Sequence, residues 1–89
     1  MNPDQHGTAM IEYLKRDILR NRTLDLGMDT PLVSSGLVDS FALIDVLLEL
    51  EKITSRRIPA GRVSPKDLDT VREMLNTAGR LGTQMKVAG

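Results

Sequence analysis

Apolar residues in this 89-residue chain recur at helical rather than strand spacing. Met10, Ile11, Leu14, Ile18 and Leu19 line one face of a first predicted helix, with Lys15, Arg16 and Asp17 on the other. Thr8 is its expected N-cap, and the pattern dissolves near Asn21. A second helix is expected over residues 40–54. A last one is expected over 70–78, where Val71, Met74, Leu75 and Ala78 repeat at i, i+3, i+4 and i+7. Asp69 is the expected cap of that helix and Gly79 its left-handed stop. Between the second and last helices, Ile58-Pro59-Ala60-Gly61 breaks the helical pattern. Ser64-Pro65-Lys66-Asp67 then places a cap, a proline and a first-turn acid in order, enough for about one turn of helix. No strand pattern competes. The expected fold is therefore all-α: three main helices plus a short third one, in a small four-helix bundle. Residues 1–7 and 80–89 are expected to be flexible, leaving 8–79 as the domain.

The connection over 22–39 is long for so small a domain, because internal loops beyond about 12–15 residues are uncommon and tend to be functional or disordered. Its composition argues against disorder. Leu24, Leu26, Met28, Leu32 and Val33 are apolar anchors able to pin it over the helices.

The second helix carries more apolar surface than one core needs. Turning by the helical repeat from Ser40 gathers Leu43, Val46, Leu47, Leu50 and Ile53 on one broad face. Phe41, Ile44 and Leu48 form a second stripe displaced toward solvent, bordered by Asp45, Glu49, Glu51 and Lys52. The 22–39 loop covers that stripe, or a partner does, or the two share it, with Phe41 partly under the loop and Leu48 left for the partner.

Charge sharpens the partner reading. Twelve basic and twelve acidic residues cancel overall, yet residues 23–51 hold six acids and no base, while residues 52–89 hold eight bases and three acids. A basic protein surface is the expected complement to the acidic middle, and a solvated face without a partner is the plainer alternative. No interleaved aromatics accompany the basic residues, so nucleic-acid binding is not expected. There is no cysteine, and His6 is the single histidine, which excludes disulfides, thiolate metal sites and cysteine nucleophiles. No metal site, and no acid–base pair of the kind an enzyme needs, can be assembled; the chain is not expected to be an enzyme. Asp45 interrupts the strongest apolar run, so no membrane span is expected, and residues 1–8 carry no signal-peptide pattern. A cytoplasmic, monomeric protein is the expectation.

Gly36-Leu37-Val38-Asp39-Ser40 joins the long loop to the second helix. Taken alone, Asp39 or Ser40 reads as a helix cap, and Gly36 as a turn residue needing positive φ. Ser40 is not in a G-x-S-x-G elbow and has no base, so it makes a poor nucleophile but a good acceptor for a modifying enzyme.

In its setting, Leu32-Val33-Ser34-Ser35-Gly36-Leu37-Val38-Asp39-Ser40 closely resembles the loop that leads to the modified serine of acyl and peptidyl carrier proteins. Those proteins carry a phosphopantetheine arm on the Ser of an Asp-Ser pair at the start of their second helix. The resemblance extends over residues 8–79. It takes in the first amphipathic helix, the acidic second helix, the Ile58-Pro59 dipeptide, the short third helix and the Asp69-Thr70-Val71 start of the last helix. It implies that Ser40 receives phosphopantetheine from coenzyme A by way of a phosphopantetheinyl transferase, with Asp39 as the companion motif residue. The arm's thiol would then hold a carboxylic acid as a thioester, supplying the sulfur the chain lacks. By the same resemblance, Phe41, Ile44, Asp45, Leu48 and Glu49 lie where carriers meet their enzymes: an adenylating amino acid or acyl ligase and a downstream acyl-accepting enzyme. Leu37-Val38-Asp39-Ser40 is most similar to stand-alone aminoacyl carriers such as D-alanyl carrier proteins, which favours an aminoacyl cargo. A fatty-acyl or polyketide carrier and, from another class, an unmodified helical interaction module are the alternatives. Two departures bear on partner identity. Phe41 stands where such carriers commonly have Leu, and the chain is neutral where fatty-acid carriers are acidic.

Overall fold

In the computed structural model, which describes residues 3–84, helix α1 spans Pro3–Tyr13 and runs directly into a π-helical segment, Leu14–Ile18. The widened turn is closed by the Leu19 N–H donating to the Leu14 carbonyl at 2.7 Å, and Arg20 ends it in the left-handed region at φ 52°. Helix α1 starts five residues before the expected cap at Thr8, and Gly7 is buried inside it against the sulfur of Met28. The part of the expected flexible segment 1–7 that is described is thus helix, and His6 sits half-buried in it rather than in a loose tail. Residues 1–2 and 85–89 lie outside the described residues.

Helix α2 covers Ala42–Thr54 and closes on Ser55, which adopts a left-handed φ of 55°. Its apolar pattern splits as the sequence suggests. Val46, Leu47 and Leu50 are buried and Leu43 and Ile53 half-buried. Fully burying one such aliphatic side chain stabilises the fold by roughly 1.5–3 kcal/mol. Glu51, counted from the sequence among the solvent-facing acids, instead accepts the Ile58 N–H at 2.7 Å and draws the following chain back over the end of α2.

Two 3₁₀ turns follow, Ala60–Arg62 and Pro65–Leu68. The second is the one-turn helix expected at Ser64-Pro65-Lys66-Asp67, and its Asp67 carboxylate accepts both the Ser64 N–H at 2.8 Å and the Ser64 hydroxyl at 3.1 Å. Helix α3 spans Val71–Leu81, with Val71, Met74, Thr77 and Ala78 buried. The Thr77 hydroxyl satisfies itself by donating to the Asp67 carbonyl at 3.0 Å. Thr70, not Asp69, caps α3, its side-chain oxygen accepting the Glu73 N–H at 3.0 Å.

The expectation of no strands is corrected. Strand β1, Arg56–Arg57, pairs antiparallel with β2, Thr83–Gln84, Arg56 lying opposite Gln84 and Arg57 opposite Thr83. Two residues on each side are too few to give a period-2 pattern. Gly79 does not end α3; the helix runs on to Leu81, and the chain turns at Gly82 to reach β1. A Cβ on Gly82 would run into the Ala78 carbonyl oxygen and lie 3.0 Å from the Arg56 Cβ. Gly82→Ala should therefore cost about 1–3 kcal/mol and speed amide exchange across the β1–β2 pair, both readable from thermal melts and exchange NMR.

The result is a mostly helical domain in which α1 packs on α2 and α3, α2 packs on α3, and Met10, Leu14, Leu32, Leu50, Val71 and Met74 fill the centre. No helix among the described residues is long and apolar enough to cross a membrane.

Candidate functional site

The 22–39 connection is part of the core rather than a cover. Leu26, Leu32 and Val38 are buried, and Leu24, Met28 and Val33 half-buried. Val38 was not among the anchors expected from the sequence, where it reads only as a motif residue. The loop is also tied to α3 by its backbone, the Arg72 N–H reaching the Met28 carbonyl at 2.9 Å, and by paired Arg72–Asp29 hydrogen bonds of 2.6 and 3.1 Å.

The strongest tie belongs to Asp69. Its Oδ1 accepts the N–H groups of Val33 at 2.8 Å, Ser34 at 2.9 Å and Leu32 at 3.2 Å. Its Oδ2 accepts the Ser34 hydroxyl at 2.8 Å. The Leu32 N–H also donates to the Asp69 main-chain carbonyl at 2.7 Å. Asp69 therefore serves a loop more than thirty residues earlier and not the helix that follows it. Local spacing had no means of revealing this, since Asp before a helix start looks the same in both roles.

Past the clamp, the loop folds back on itself. The Gly36 N–H donates to the Val33 carbonyl at 3.1 Å, and Gly36 takes the positive φ expected of it, 84°. The Val38 N–H then returns to the Leu32 carbonyl at 2.9 Å. The Ser35 hydroxyl closes the same ring on the Pro31 carbonyl at 2.6 Å. Asp39 follows and caps α2, its Oδ1 accepting the Ala42 N–H at 2.9 Å. Ser40 lies two residues before the start of α2, exposed, and among the described residues its hydroxyl takes part in no intramolecular hydrogen bond. Of the two residues read as possible caps, Asp39 does the capping and Ser40 is left free.

Beside Ser40 an open cleft of about 220 Å³ runs between α2 and the 3₁₀ turns, walled by Leu43, Ile44, Leu47, Val63, Pro65 and Leu68. Its walls are apolar, and Ser40 and Ser64 are its hydroxyl-bearing members. On the outer face of α2 the second stripe is uncovered: Phe41 is 87% exposed, Ile44 67% and Leu48 58%. The loop therefore covers neither the stripe as a whole nor Phe41 in part. Leu37, in the loop, is exposed as well. Asp45 and Glu49 border the stripe, and neither forms an ion pair among the described residues. Burial first, then the charges of Asp45 and Glu49, raise the Tyr13 phenol above its ordinary value.

Two carboxylates next to this site are held as anions by their hydrogen bonds. The Ser34 and Val33 groups lower the pKa of Asp69, and the Ser64 N–H, followed by the Ser64 hydroxyl and Arg80, lowers that of Asp67. A group whose folded pKa is depressed contributes its stability in full above the unfolded carboxylate value, near pH 4, and loses it as pH falls through the lower folded value. Urea midpoints should thus drop between pH 6 and pH 3. The drop should shrink in Asp69→Asn, which has no carboxylate to protonate there.

No group of three or more side chains able to hold a metal ion occurs among the described residues. Comparison of the chain with family models, with curated proteins and with solved structures gave no match.

Proposed function

We propose that this protein is a carrier that holds an acyl group, in the first instance an aminoacyl group, on a phosphopantetheine arm attached to Ser40. The observation that carries the reading is the state of Ser40: a free, exposed hydroxyl immediately before α2, on a loop secured from both sides by Asp69 and Asp39. That is the geometry a transferase needs if it is to reach a hydroxyl that has no base of its own. It falls on the one serine that the resemblance to acyl and peptidyl carriers marks for modification.

The residues around Ser40 fit the arm. A phosphodiester there would lie close to the N-terminal end of α2, where the helix dipole favours negative charge. Asp39 already uses its carboxylate on the Ala42 N–H, so it orients the turn without occupying the Ser40 oxygen. The apolar cleft offers the arm a resting surface that needs no rearrangement of α2. Bound there, phosphopantetheine would supply a thiol for thioester formation, chemistry absent from a chain without cysteine.

In this reading the short Pro65–Leu68 turn occupies the place of the short third helix in a four-helix carrier bundle. The cleft is open to solvent rather than enclosed, which suits a small aminoacyl cargo better than a long acyl chain needing shelter. Phe41, Ile44 and Leu48, with Asp45 and Glu49 beside them, form the face offered to the transferase, to an adenylating ligase and to a downstream acceptor. Apolar anchors ringed by acids suit enzyme surfaces with an apolar patch and basic rim. The uncovered stripe also favours a second reading, an unmodified helical module that docks a partner through the same three residues.

Intact mass measured before and after incubation with coenzyme A, magnesium and a broad-specificity phosphopantetheinyl transferase tests the proposal. A gain of one phosphopantetheine is expected. No gain by a folded chain, with the transferase active on a control carrier, removes the carrier reading and leaves the docking module.

A further inference from the structure

We infer that Asp69 is a positioning residue for Ser40: its carboxylate sets the conformation of the loop that presents the serine hydroxyl, so that modification at Ser40 depends on a side chain at the start of α3. The inference rests on the carrier reading for its catalytic consequence, and on geometry alone for the clamp itself.

Three backbone N–H groups in succession, those of Leu32, Val33 and Ser34, converge on one oxygen of this carboxylate, and the Ser34 hydroxyl takes the other. A carboxylate receiving several donors is a stronger anchor than neutral hydrogen bonds at the same places. From this anchor to Ser40 the chain has little freedom. Gly36 is fixed in a left-handed turn, the Val38 N–H is bonded to the Leu32 carbonyl, and the Val38 side chain is buried. Only Asp39 separates that closed ring from Ser40, and Asp39 is itself bonded to the first turn of α2. The residue that bears the hydroxyl is thus held between two fixed points, one just before α3 and one at the first turn of α2.

Loss of the Asp69 side chain would not dissolve the loop. The Leu32 N–H keeps its bond to the Asp69 main-chain carbonyl, and Leu32 remains in the core. What is lost is the hold on Val33 and Ser34, whose N–H groups must find water instead. The expected outcome is a loop that stays attached but samples more positions, with Ser40 less often in the orientation a transferase accepts.

Two measurements on the full chain decide the matter. In Asp69→Ala, amide exchange at Val33, Ser34 and Val38 should quicken by about tenfold or more, while amides of α1 and of the middle of α3 keep the native pattern. The transferase kcat/KM should fall by a comparable factor in a variant that is still folded. Gly82→Ala, whose damage lies at the β1–β2 end of the molecule, serves as the destabilised control and should load at close to the native rate. Native exchange in the 33–38 region of Asp69→Ala overturns the clamp. Quickened exchange with native loading, or an equal loss of loading in Gly82→Ala, overturns the positioning role. If the native chain itself is never loaded, the carrier reading fails and takes the catalytic consequence with it; the exchange data still report separately whether Asp69 holds the loop.

Discussion

Ser40→Ala should abolish the gain of phosphopantetheine completely and leave the fold almost untouched. The loss is all-or-none because the serine oxygen is the atom that would form the new bond to phosphorus, and no neighbouring hydroxyl occupies the same position. Ser34 and Ser35 are nearest in sequence, but both hydroxyls are engaged, with Asp69 and with the Pro31 carbonyl. The cost in stability should lie within about 0.5 kcal/mol, since the Ser40 hydroxyl bonds to nothing and the cap of α2 belongs to Asp39. Asp39→Ala makes the useful contrast: it should cost about 1 kcal/mol of stability through the lost cap. A melt and an intact-mass spectrum on each variant separate the two roles. Continued modification of Ser40→Ala would move the attachment point elsewhere and sink the assignment. The docking-module reading makes the opposite forecast: partner binding survives Ser40→Ala and is lost in Leu48→Asp, where a charge replaces an exposed apolar contact.

Much of this arrangement is legible in the sequence because it is encoded by period. The i, i+3, i+7 spacing of Val71, Met74 and Ala78 finds the buried face of α3, and the same arithmetic splits α2 into a core face and an exposed stripe. Chemically specific positions are legible too. Gly36 takes the positive φ that glycine permits, and Ser64 with Asp67 starts the one-turn helix as their spacing implies. What escapes is whatever depends on a distant partner. Residues 3–7 show no apolar period and are helix all the same, with Gly7 buried beside Met28. Glu51 looks like one more surface acid until the chain returns to give it the Ile58 N–H. Asp69 looks like a cap until the loop before Ser40 folds onto it. Arg56 and Arg57 carry no strand signature because their pairing is decided by where Gly82 lets the chain pass. In each case the local signal is real, and a contact far along the chain reassigns the residue.

Leu32→Ala should destabilise the protein as severely as truncation of a central helical residue, although Leu32 lies in the long loop. The expected cost is about 2–5 kcal/mol, a large share of what a domain of this size has in total, about 5–15 kcal/mol. Leu32 is fully buried, as are Leu14, Leu50 and Met74 from the three helices. Its removal leaves a void at the point where those elements meet. The backbone there has little room to collapse into the void, because the Leu32 N–H is held by Asp69 and its carbonyl by the Val38 N–H. A site that cannot relax carries the cavity cost as well as the lost burial. Denaturant melts of Leu32→Ala beside Leu50→Ala test this directly. Equal losses place the loop inside the folding core. A loss below about 1 kcal/mol for Leu32→Ala would mean that the loop can leave the core without unfolding it. Ser40 would then be presented by a mobile segment rather than a fixed one, and Asp69 would not set its position.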